Sequence, residues 1–341
     1  MRSIIKIGKR RIGYTEPVFV IAEIGMNHNG NLDLAKKMIK AAADCGVDAV
    51  KFQTFKTEQL YSRNFPGYEE RKMYELPYEW HATLKELTEC SGLEFISTPF
   101  DKESVDFLDK LDISCFKVAS SDLNNYPFLE YISQKGKAIL LSTGFSTLGE
   151  IEKALNTIYS TGNRQVVLLH CISSYPASIV DLNLRVINTL RDTFDLQVGY
   201  SDHTKDSSIA PIVATALGAC VIEKHFTISQ TLPGYDHKMS ETPSSLKQIV
   251  EYVRAAEQAM GSGIKKPVKP ELERLQTARR SLYWKESYEA GRLIDESMFQ
   301  VLRPGNGLPP EMLKTLIGYK LASSVSANSK IKMYHIDWKD E

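Results

Sequence analysis

The sequence predicts an α/β protein: a (β/α)8 barrel followed by a small C-terminal domain. Three observations support this: a length of 341 residues, short apolar runs that alternate with helical patterns from residue 17 onward, and a change of composition after residue 260. A barrel of this class uses about 250 residues. The chain is therefore long enough for one barrel and one small appendage.

Eight apolar runs, rich in β-branched residues and each ending near a polar residue or glycine, are the candidate strands. Eight strands alternating with helices favour a closed barrel over an open doubly wound sheet. No Gly-x-Gly-x-x-Gly motif follows the first run to support the open sheet. The runs are VFVIAEIG (18–25), AVKFQ (49–53), LEFIST (93–98), CFKVAS (115–120), AILLST (138–143), QVVLLH (165–170), LQVGYS (196–201) and ACVIEK (219–224).

Helical patterns separate these runs. After the first run, Ala35, Met38, Ile39 and Ala42 follow the spacing of an amphipathic helix, and Gly46 stands where that helix would end. The segments after FDKES, STLGE and TKDSS begin with residues typical of helix N-termini. Ahead of the first strand, IIKIGKRRIGY is expected to form a hairpin that closes the bottom of the barrel.

The domain boundaries follow from composition. We expect the barrel over residues 1–262, a linker over 263–280 and a small domain over 281–341. The linker assignment depends on GSGIKKPVKPELER, which is rich in Gly, Pro and Lys. The small domain holds strand-like runs (SLYW, IKMYHI) and one short helical segment, EMLKTLIG.

Overall composition narrows the function classes. Lys+Arg and Asp+Glu number 42 each, so no global field attracts nucleic acid or an anionic membrane. The five cysteines show no Cys-x-x-Cys spacing, which suits buried thiols in a reducing compartment. No apolar stretch is long enough for a membrane span, and the N-terminus lacks the apolar region of a signal peptide. We therefore expect a cytoplasmic protein.

Polar side chains follow or end all eight candidate strands. Because the C-terminal strand ends of a (β/α)8 barrel meet at its catalytic mouth, we expect these side chains to share one site. In chain order they are Glu23, Lys51, Gln53, Ser97, Thr98, Lys117, Ser120, Ser121, Ser142, Thr143, His170, Ser201, Asp202, His203, Glu223 and His225.

Two lysines interrupt apolar runs, Lys51 in AVKFQ and Lys117 in CFKVAS. Each could be a buried lysine paired with a glutamate, or one of them could form a Schiff base. Two ammonium groups beside several hydroxyls favour instead a pocket for a phosphate or carboxylate.

His203 and His225 are about one β–α–β step apart, so they should lie at neighbouring strand ends. A single histidine is more often a hydrogen-bonded neighbour than a ligand. As a pair near Glu23 and Asp202, they favour a divalent metal site with open positions. Mixed nitrogen and oxygen donors without a thiolate favour Mn²⁺ or Mg²⁺ over structural zinc.

From about residue 17 to its end, the chain resembles the sialic acid synthase family. The motifs that carry the resemblance are AEIGMNHNGN, KFQTFK, ISTPFD, FKVASSDLNNYP, LSTGFS, LLHCISSYPA, YSDHT, IEKHFT and RPGNG. Enzymes of this family condense phosphoenolpyruvate with an N-acylated hexosamine to give a nonulosonic acid and phosphate. The resemblance implies a TIM barrel followed by an antifreeze-protein-like (SAF, β-clip) domain.

The resemblance also implies residue roles. Those implied in catalysis are Glu23, Lys51, Lys117 and Arg303. Phosphoenolpyruvate binding is implied for Lys51, Thr98, Lys117, Ser120, Ser142 and Ser201. Sugar binding is implied for Gln53, Asp122, Tyr175, Asp236 and Arg303. The implied ligands of the divalent metal, with Mn²⁺ favoured over Mg²⁺, are His203 and His225.

A domain-swapped homodimer is implied as well, in which the SAF domain sends Arg303 into the partner's barrel. Ser173, Ser174 and Tyr235 depart from residues common in the family, in segments expected to touch the sugar. The acceptor therefore stays open between N-acetylmannosamine and a 2,4-diacetamido-trideoxy hexose of the legionaminic type.

Two other functions match parts of the pattern. A metal-dependent TIM-barrel hydrolase of the amidohydrolase kind generally has His-x-His at the end of the first strand, where this chain has only His28. A polysaccharide- or ice-binding module on an inert barrel would leave the strand-end lysines and histidines without a role.

Overall fold

The computed structural model describes residues 3–205 and 208–338. The chain divides into two compact units, Met1–Gly261 and Ser262–Glu341. Within the described residues, no helix combines the length and the apolar character needed to cross a membrane. All five cysteines are free thiols, and four of them are buried: Cys45, Cys115, Cys171 and Cys220.

The first unit begins with an antiparallel hairpin of β1 (Ile5–Ile7) and β2 (Arg10–Ile12). A closed barrel of eight parallel strands follows, which confirms the predicted fold class. The last strand pairs with the first to close the barrel. The barrel strands are β3 (Phe19–Gly25), β4 (Ala49–Thr54), β5 (Glu94–Pro99), β6 (Cys115–Val118), β7 (Ala138–Ser142), β8 (Val166–His170), β9 (Gln197–Asp202) and β10 (Val221–His225).

Helices surround this barrel, and several begin at a side-chain cap. Asn31 accepts a hydrogen bond from the Leu34 amide, and Asp101 accepts one from the Ser104 amide. The helices of this unit are α1 (Leu32–Asp44), α2 (Thr57–Leu60), α3 (Tyr68–Lys72), α4 (Tyr78–Cys90), α5 (Lys102–Lys110), α6 (Tyr126–Ser133), α7 (Leu148–Ser160), α8 (Val186–Phe194), α9 (Ile209–Ala216) and α10 (Pro243–Met260).

Strand side chains alternate between two apolar layers. Val50 and Phe52 belong to the outer layer, between the strands and the helices. Ile21 belongs to the inner layer, inside the barrel. The hairpin therefore closes the N-terminal end of the barrel, as expected from the sequence, because it adds three buried side chains to the inner layer: Ile5, Ile7 and Ile12.

The second unit has a small apolar core that includes Leu282, Trp284 and Met298. Residues 263–280, predicted as a linker, contain the helix α11 (Lys269–Ala278). Pro270 lies in its first turn, where a missing N–H is tolerated.

Short antiparallel pairs and one further helix complete the second unit. Its assignment as an SAF domain stays a prediction. The elements are β11 (Ser281–Trp284), β12 (Phe299–Leu302), α12 (Leu313–Leu316), β13 (Lys320–Leu321) and β14 (Ile336–Asp337).

Gly199 lies in β9 where the barrel interior is crowded. A β-carbon at this position would stand 2.6 Å from Val221 Cβ and 2.7 Å from Leu169 Cδ2. Carbon atoms in contact are normally about 3.5–4.0 Å apart. The packing of the barrel therefore requires glycine here.

We expect Gly199→Ala to lower the free energy of unfolding by about 1–3 kcal/mol, because the added methyl group overpacks the interior. Gly149→Ala is the matched control, since Gly149 lies exposed in α7 with no atom within 4 Å of an added β-carbon. Alanine there should be neutral or stabilise by up to about 1 kcal/mol. Urea denaturation measures both variants, and equal midpoints would contradict the packing argument.

Candidate active site

The C-terminal ends of the barrel strands open into a cavity of ≈ 700 Å³. Most of the predicted site residues line it, from strand ends and from the loops that follow them. The predicted residues in the lining are Glu23, Lys51, Gln53, Thr98, Lys117, Ser120, Ser121, Ser142, Tyr175, Ser201, His203, Glu223, His225 and Asp236.

Asp122 is not among the residues lining this cavity, and neither are four of the predicted strand-end residues: Ser97, Thr143, His170 and Asp202. Asp122 lies in a short 3-10 turn after β6, where its carboxylate accepts hydrogen bonds from Ser121 Oγ at 3.2 Å and Asn125 Nδ2 at 3.5 Å. These local hydrogen bonds hold the carboxylate to its own turn. Arg303 follows β12 in the second unit. The roles assigned to Asp122 and Arg303 stay predictions.

Four charged side chains meet inside the barrel: Glu23, Lys51, Lys117 and Glu223. Lys51 Nζ lies 2.8 Å from Glu23 Oε2 and 3.6 Å from Glu223 Oε2. Lys117 Nζ lies 3.9 Å from Glu223 Oε1. No side chain of the four is more than 5% exposed, so each charge depends on the others for compensation.

Polar side chains hold this network in position. Gln53 Nε2 donates a hydrogen bond to Glu23 Oε1 at 3.1 Å, and Lys51 Nζ donates one to Thr98 Oγ1 at 3.3 Å. Ser201 Oγ donates to Glu223 Oε1 at 2.8 Å. Glu23 therefore lies between an amide and an ammonium group, with its orientation set from both sides.

Nearby carboxylates compensate the positive charges of the two lysines to different extents. Burial alone would lower the pKa of Lys51, but Glu223 and Glu23 outweigh it and raise that pKa above its usual value. Burial also lowers the pKa of Lys117, and the more distant Glu223 does not compensate. A bound anion would therefore stabilise the charged form of Lys117 more than that of Lys51.

Glu223 is central to the network, although its sequence context indicated no individual role beyond a place among the strand-end residues. Burial alone would raise its pKa, but Lys117, Lys51 and the Ser201 hydroxyl hold that pKa below its usual value. The signal was present in VIEKH, where alternation along a strand places Glu223 on the inner face and Lys224 on the outer face.

His203 and His225 lie side by side, with ring centroids 5.5 Å apart. His203 Nδ1 donates a hydrogen bond to the Ile172 carbonyl at 2.7 Å, which leaves the Nε2 lone pair free for a ligand. Burial and the neighbouring His225 lower the pKa of His203 to about 3, so its ring is neutral at physiological pH. Among the described residues, the buried Nδ1 of His225 has no hydrogen-bond partner, and Asp236 Oδ2 lies 3.8 Å from it.

This donor set suits a divalent ion, but with fewer protein ligands than expected. In the part of the chain that the structure describes, no group of three or more His, Cys, Asp and Glu side chains could hold a metal. Asp202, expected near the histidines, bonds instead to Lys224 and Thr204 on the outer face. Glu23 bonds to Lys51. A bound ion would therefore take its other ligands from substrate or water.

Lys224 joins two segments that carry site residues. Its Nζ lies 2.7 Å from Asp202 Oδ2 and 3.3 Å from Glu241 Oε1, and it donates to the Thr204 carbonyl at 2.6 Å. The Lys224 side chain is 1% exposed. It therefore ties the loop after β9, which holds His203, to the segment after β10.

The cavity also contains side chains that the sequence analysis did not assign to the site. Two of them, Tyr61 and Arg71, come from the long connection between β4 and α4. The unassigned polar and aromatic residues are Tyr61, Arg71, Phe100, Phe145, Lys205 and Lys238.

Residues 38–265, more than half of the chain, match the model of the NeuB family. This chain belongs to the NeuB family. A relative within it, the N,N'-diacetyllegionaminic acid synthase of Legionella pneumophila, is 41% identical over 343 residues. The alignment covers 95% of the chain and 96% of that relative.

Solved structures similar to this NeuB protein include the following two. The N-acetylneuraminic acid (sialic acid) synthetase of Leptospira borgpetersenii, in complex with citrate, is 36% identical with a TM-score of 0.76, over 80% of this chain and 95% of that one. The spore coat polysaccharide biosynthesis protein SpsE of Bacillus subtilis is 34% identical with a TM-score of 0.71, over 99% of this chain and 100% of that one.

Lys224→Met is expected to lower the free energy of unfolding by about 3–5 kcal/mol, because Asp202 and Glu241 would be left buried without their cation. Lys137→Met is the matched control: Lys137 Nζ also lies 2.7 Å from a carboxylate, that of Asp112, but Asp112 is 88% exposed. The control should change stability little. Urea denaturation measures both, and equal losses would contradict a special role for the buried lysine.

Proposed function

We propose that this NeuB protein condenses phosphoenolpyruvate with an N-acylated hexosamine to give a nonulosonic acid and phosphate. The observation that carries the proposal is one cavity that holds two buried lysines, Lys51 and Lys117, beside the His203–His225 pair. The names of the relatives, a legionaminic acid synthase and an N-acetylneuraminic acid synthetase, support a product of this class. They do not favour the hydrolase alternative.

Phosphoenolpyruvate carries a phosphate and a carboxylate, and both groups need cations and hydrogen-bond donors. Lys117 is buried and only weakly compensated, so an anion beside it would offset the cost of its burial. Lys51 supplies a second ammonium group. Hydroxyl donors stand around both in the same cavity: Thr98, Ser120, Ser142 and Ser201.

The acceptor sugar binds on the side of the cavity that contains the histidines. Tyr175 packs on His203 with ring centroids 4.2 Å apart, and its ring offers a face for the sugar chain. Asp236 and Gln53 add polar groups suited to hydroxyls. His203 and His225 would hold a divalent ion, Mn²⁺ in preference to Mg²⁺, which would supply Lewis-acid polarisation of the acceptor's aldehyde.

The reaction forms a carbon–carbon bond between the methylene carbon of phosphoenolpyruvate and the aldehyde carbon, whose oxygen takes up a proton. Positive charge develops at the former enol carbon, where water adds. The bond between that carbon and the phosphate oxygen then breaks, and phosphate leaves. Glu23, oriented by Lys51 and Gln53, can stabilise the positive charge and accept the proton of the water.

The purified protein is expected to release phosphate from phosphoenolpyruvate only when Mn²⁺ and a suitable N-acyl hexosamine are present. The acceptor panel contains N-acetylmannosamine and a 2,4-diacetamido-trideoxy hexose, and kcat/KM ranks them. Phosphoenolpyruvate labelled with ¹⁸O at the bridging oxygen should deliver its label to the phosphate, because the proposed step breaks the carbon–oxygen bond.

His203→Ala and His225→Ala serve as the controls for this assay. Both should lose Mn²⁺ binding and lower kcat by at least about 100-fold, while thermal melting stays close to that of the parent protein. If no phosphate is released from phosphoenolpyruvate with either acceptor, the proposed function is overturned. Unchanged Mn²⁺ affinity in either variant would remove that histidine from the metal site.

We also propose a homodimer in which the C-terminal domain of one subunit completes the cavity of the other through Arg303. Large apolar side chains in the loops after β7 and β8 support a covering partner, since Phe145 is 79% exposed and Val180 is 87% exposed. The occupant proposed for this surface is the second copy's C-terminal domain.

Subunit mixing tests this arrangement. Arg303→Ala and His225→Ala homodimers should both be nearly inactive, and Arg303→Ala should still dimerise. Heterodimers of the two would hold one complete site, so random pairing of equal amounts should restore about a quarter of the parent activity. No recovery in heterodimers isolated by two affinity tags would contradict the exchange of Arg303 between subunits.

A further inference from the structure

Arg71 lies where three loops meet at one side of the cavity mouth. It belongs to α3, in the connection between β4 and α4. Its guanidinium stacks on the ring of Tyr235, in the loop after β10, with 4.0 Å from Cζ to the ring centroid. Its Nη1 lies 3.8 Å from the sulfur of Met26, in the loop after β3. Three separate loops therefore hold this side chain against the cavity.

These loops also contact one another, so the position of Arg71 is well defined. The Tyr235 hydroxyl donates a hydrogen bond to Glu70 Oε2 at 2.5 Å, next to Arg71 in the chain. Tyr74 packs edge-on against the Tyr235 ring, with centroids 5.4 Å apart. Asn29 Nδ2 donates to the Pro233 carbonyl at 2.8 Å, which joins the first loop to the last.

The guanidinium of Arg71 has a hydrogen-bond donor that no described residue uses. Its buried Nε–H has no hydrogen-bond partner within residues 3–205 and 208–338. The thioether of Met26 is a weak acceptor, and stacking on Tyr235 uses the face of the guanidinium and leaves its edge free. An unpaired buried donor destabilises the protein. A ligand oxygen in the cavity would remove that destabilisation.

The surroundings of Arg71 suit a neutral oxygen next to a methyl group. Met26, Tyr61 and Phe100 line the same cavity and offer apolar and aromatic surface. Two carboxylates belong to the same segments: Glu70 precedes Arg71 and is bonded to Tyr235, and Asp236 follows Tyr235 and also lines the cavity. These two negative charges oppose a phosphate dianion at the same place.

We propose that Arg71 is a specificity-determining residue that recognises an N-acyl group of the acceptor sugar. It donates to the amide carbonyl oxygen, and the methyl group packs against Met26 and Tyr61. The inference rests on the proposed function, and it adds a residue from the β4–α4 connection to the acceptor site. Tyr235 contributes by holding the guanidinium in place.

The test compares the preferred acceptor with its analogue in which one N-acyl group is replaced by hydroxyl. In Arg71→Met, kcat/KM for the N-acyl acceptor should fall about 10- to 100-fold, whereas KM for phosphoenolpyruvate stays unchanged. The selectivity for the acylated sugar over its analogue should fall at least about tenfold. If the analogue is not turned over, its inhibition constant replaces kcat/KM.

Three variants make the comparison specific. Arg164→Met is the matched control, because Arg164 stacks on Tyr159 at 4.2 Å outside the cavity, and it should change neither constant. Arg71→Lys keeps the charge but loses the Nε donor, so its selectivity should lie between those of Arg71→Met and the parent protein. Tyr235→Phe keeps the stacked ring and should retain most of the selectivity.

The outcomes separate this inference from the proposed function. No turnover by the parent protein with any acceptor would overturn the proposed function itself. Parent activity with equal losses for the acylated sugar and its analogue would show that Arg71 only supports the fold of its loop, and would overturn the inference alone. A loss that appears instead as a raised KM for phosphoenolpyruvate would assign Arg71 to that substrate's phosphate or carboxylate, and would also overturn the inference.

Discussion

Four buried charges, those of Glu23, Lys51, Lys117 and Glu223, must compensate one another inside the barrel. An unpaired charge at their depth would cost several kcal/mol, so each must stay within reach of an opposite partner. They stand on four different strands, β3, β4, β6 and β10. The pairing of β10 with β3 closes the barrel and brings Glu223 to Lys51. The strand pairing that closes the barrel therefore also brings together the charged residues of the site.

Successive side chains of β10 point alternately to the inside and the outside of the barrel. Glu223 faces inward to the charge network, and Lys224 faces outward to Asp202 and Glu241. The outer ion pairs hold the loop that carries His203, while the inner network holds the surfaces suited to an anion. Stability and chemistry thus depend on adjacent residues of a single strand. A one-residue shift of this strand would exchange their environments.

Local patterns were sufficient for most of the fold. The apolar runs, the hairpin at the barrel base and the strand-end polar residues could be predicted because strand and helix periodicities are local properties. Asp202 was expected near the histidines, but alternation turns its carboxylate to the outer face. Asp122 is held in its own turn by hydrogen bonds, and a helix formed where Gly, Pro and Lys suggested only a linker. Asp202 and Asp122 each form local hydrogen bonds that fix the position of the carboxylate.

By itself, the sequence determined the order of strands and helices, the ring of polar groups at one end of the barrel, and the family, since all of these depend on residue identity and spacing. Only the tertiary structure decided which partner neutralises Lys51, why Lys117 remains available to an anion, and how Arg71 comes to lie on Tyr235. Arg71 and Tyr235 are far apart in the chain, and their loops carry no regular period. Their contact exists because closing the barrel brings the ends of β4 and β10 to the same side of one mouth.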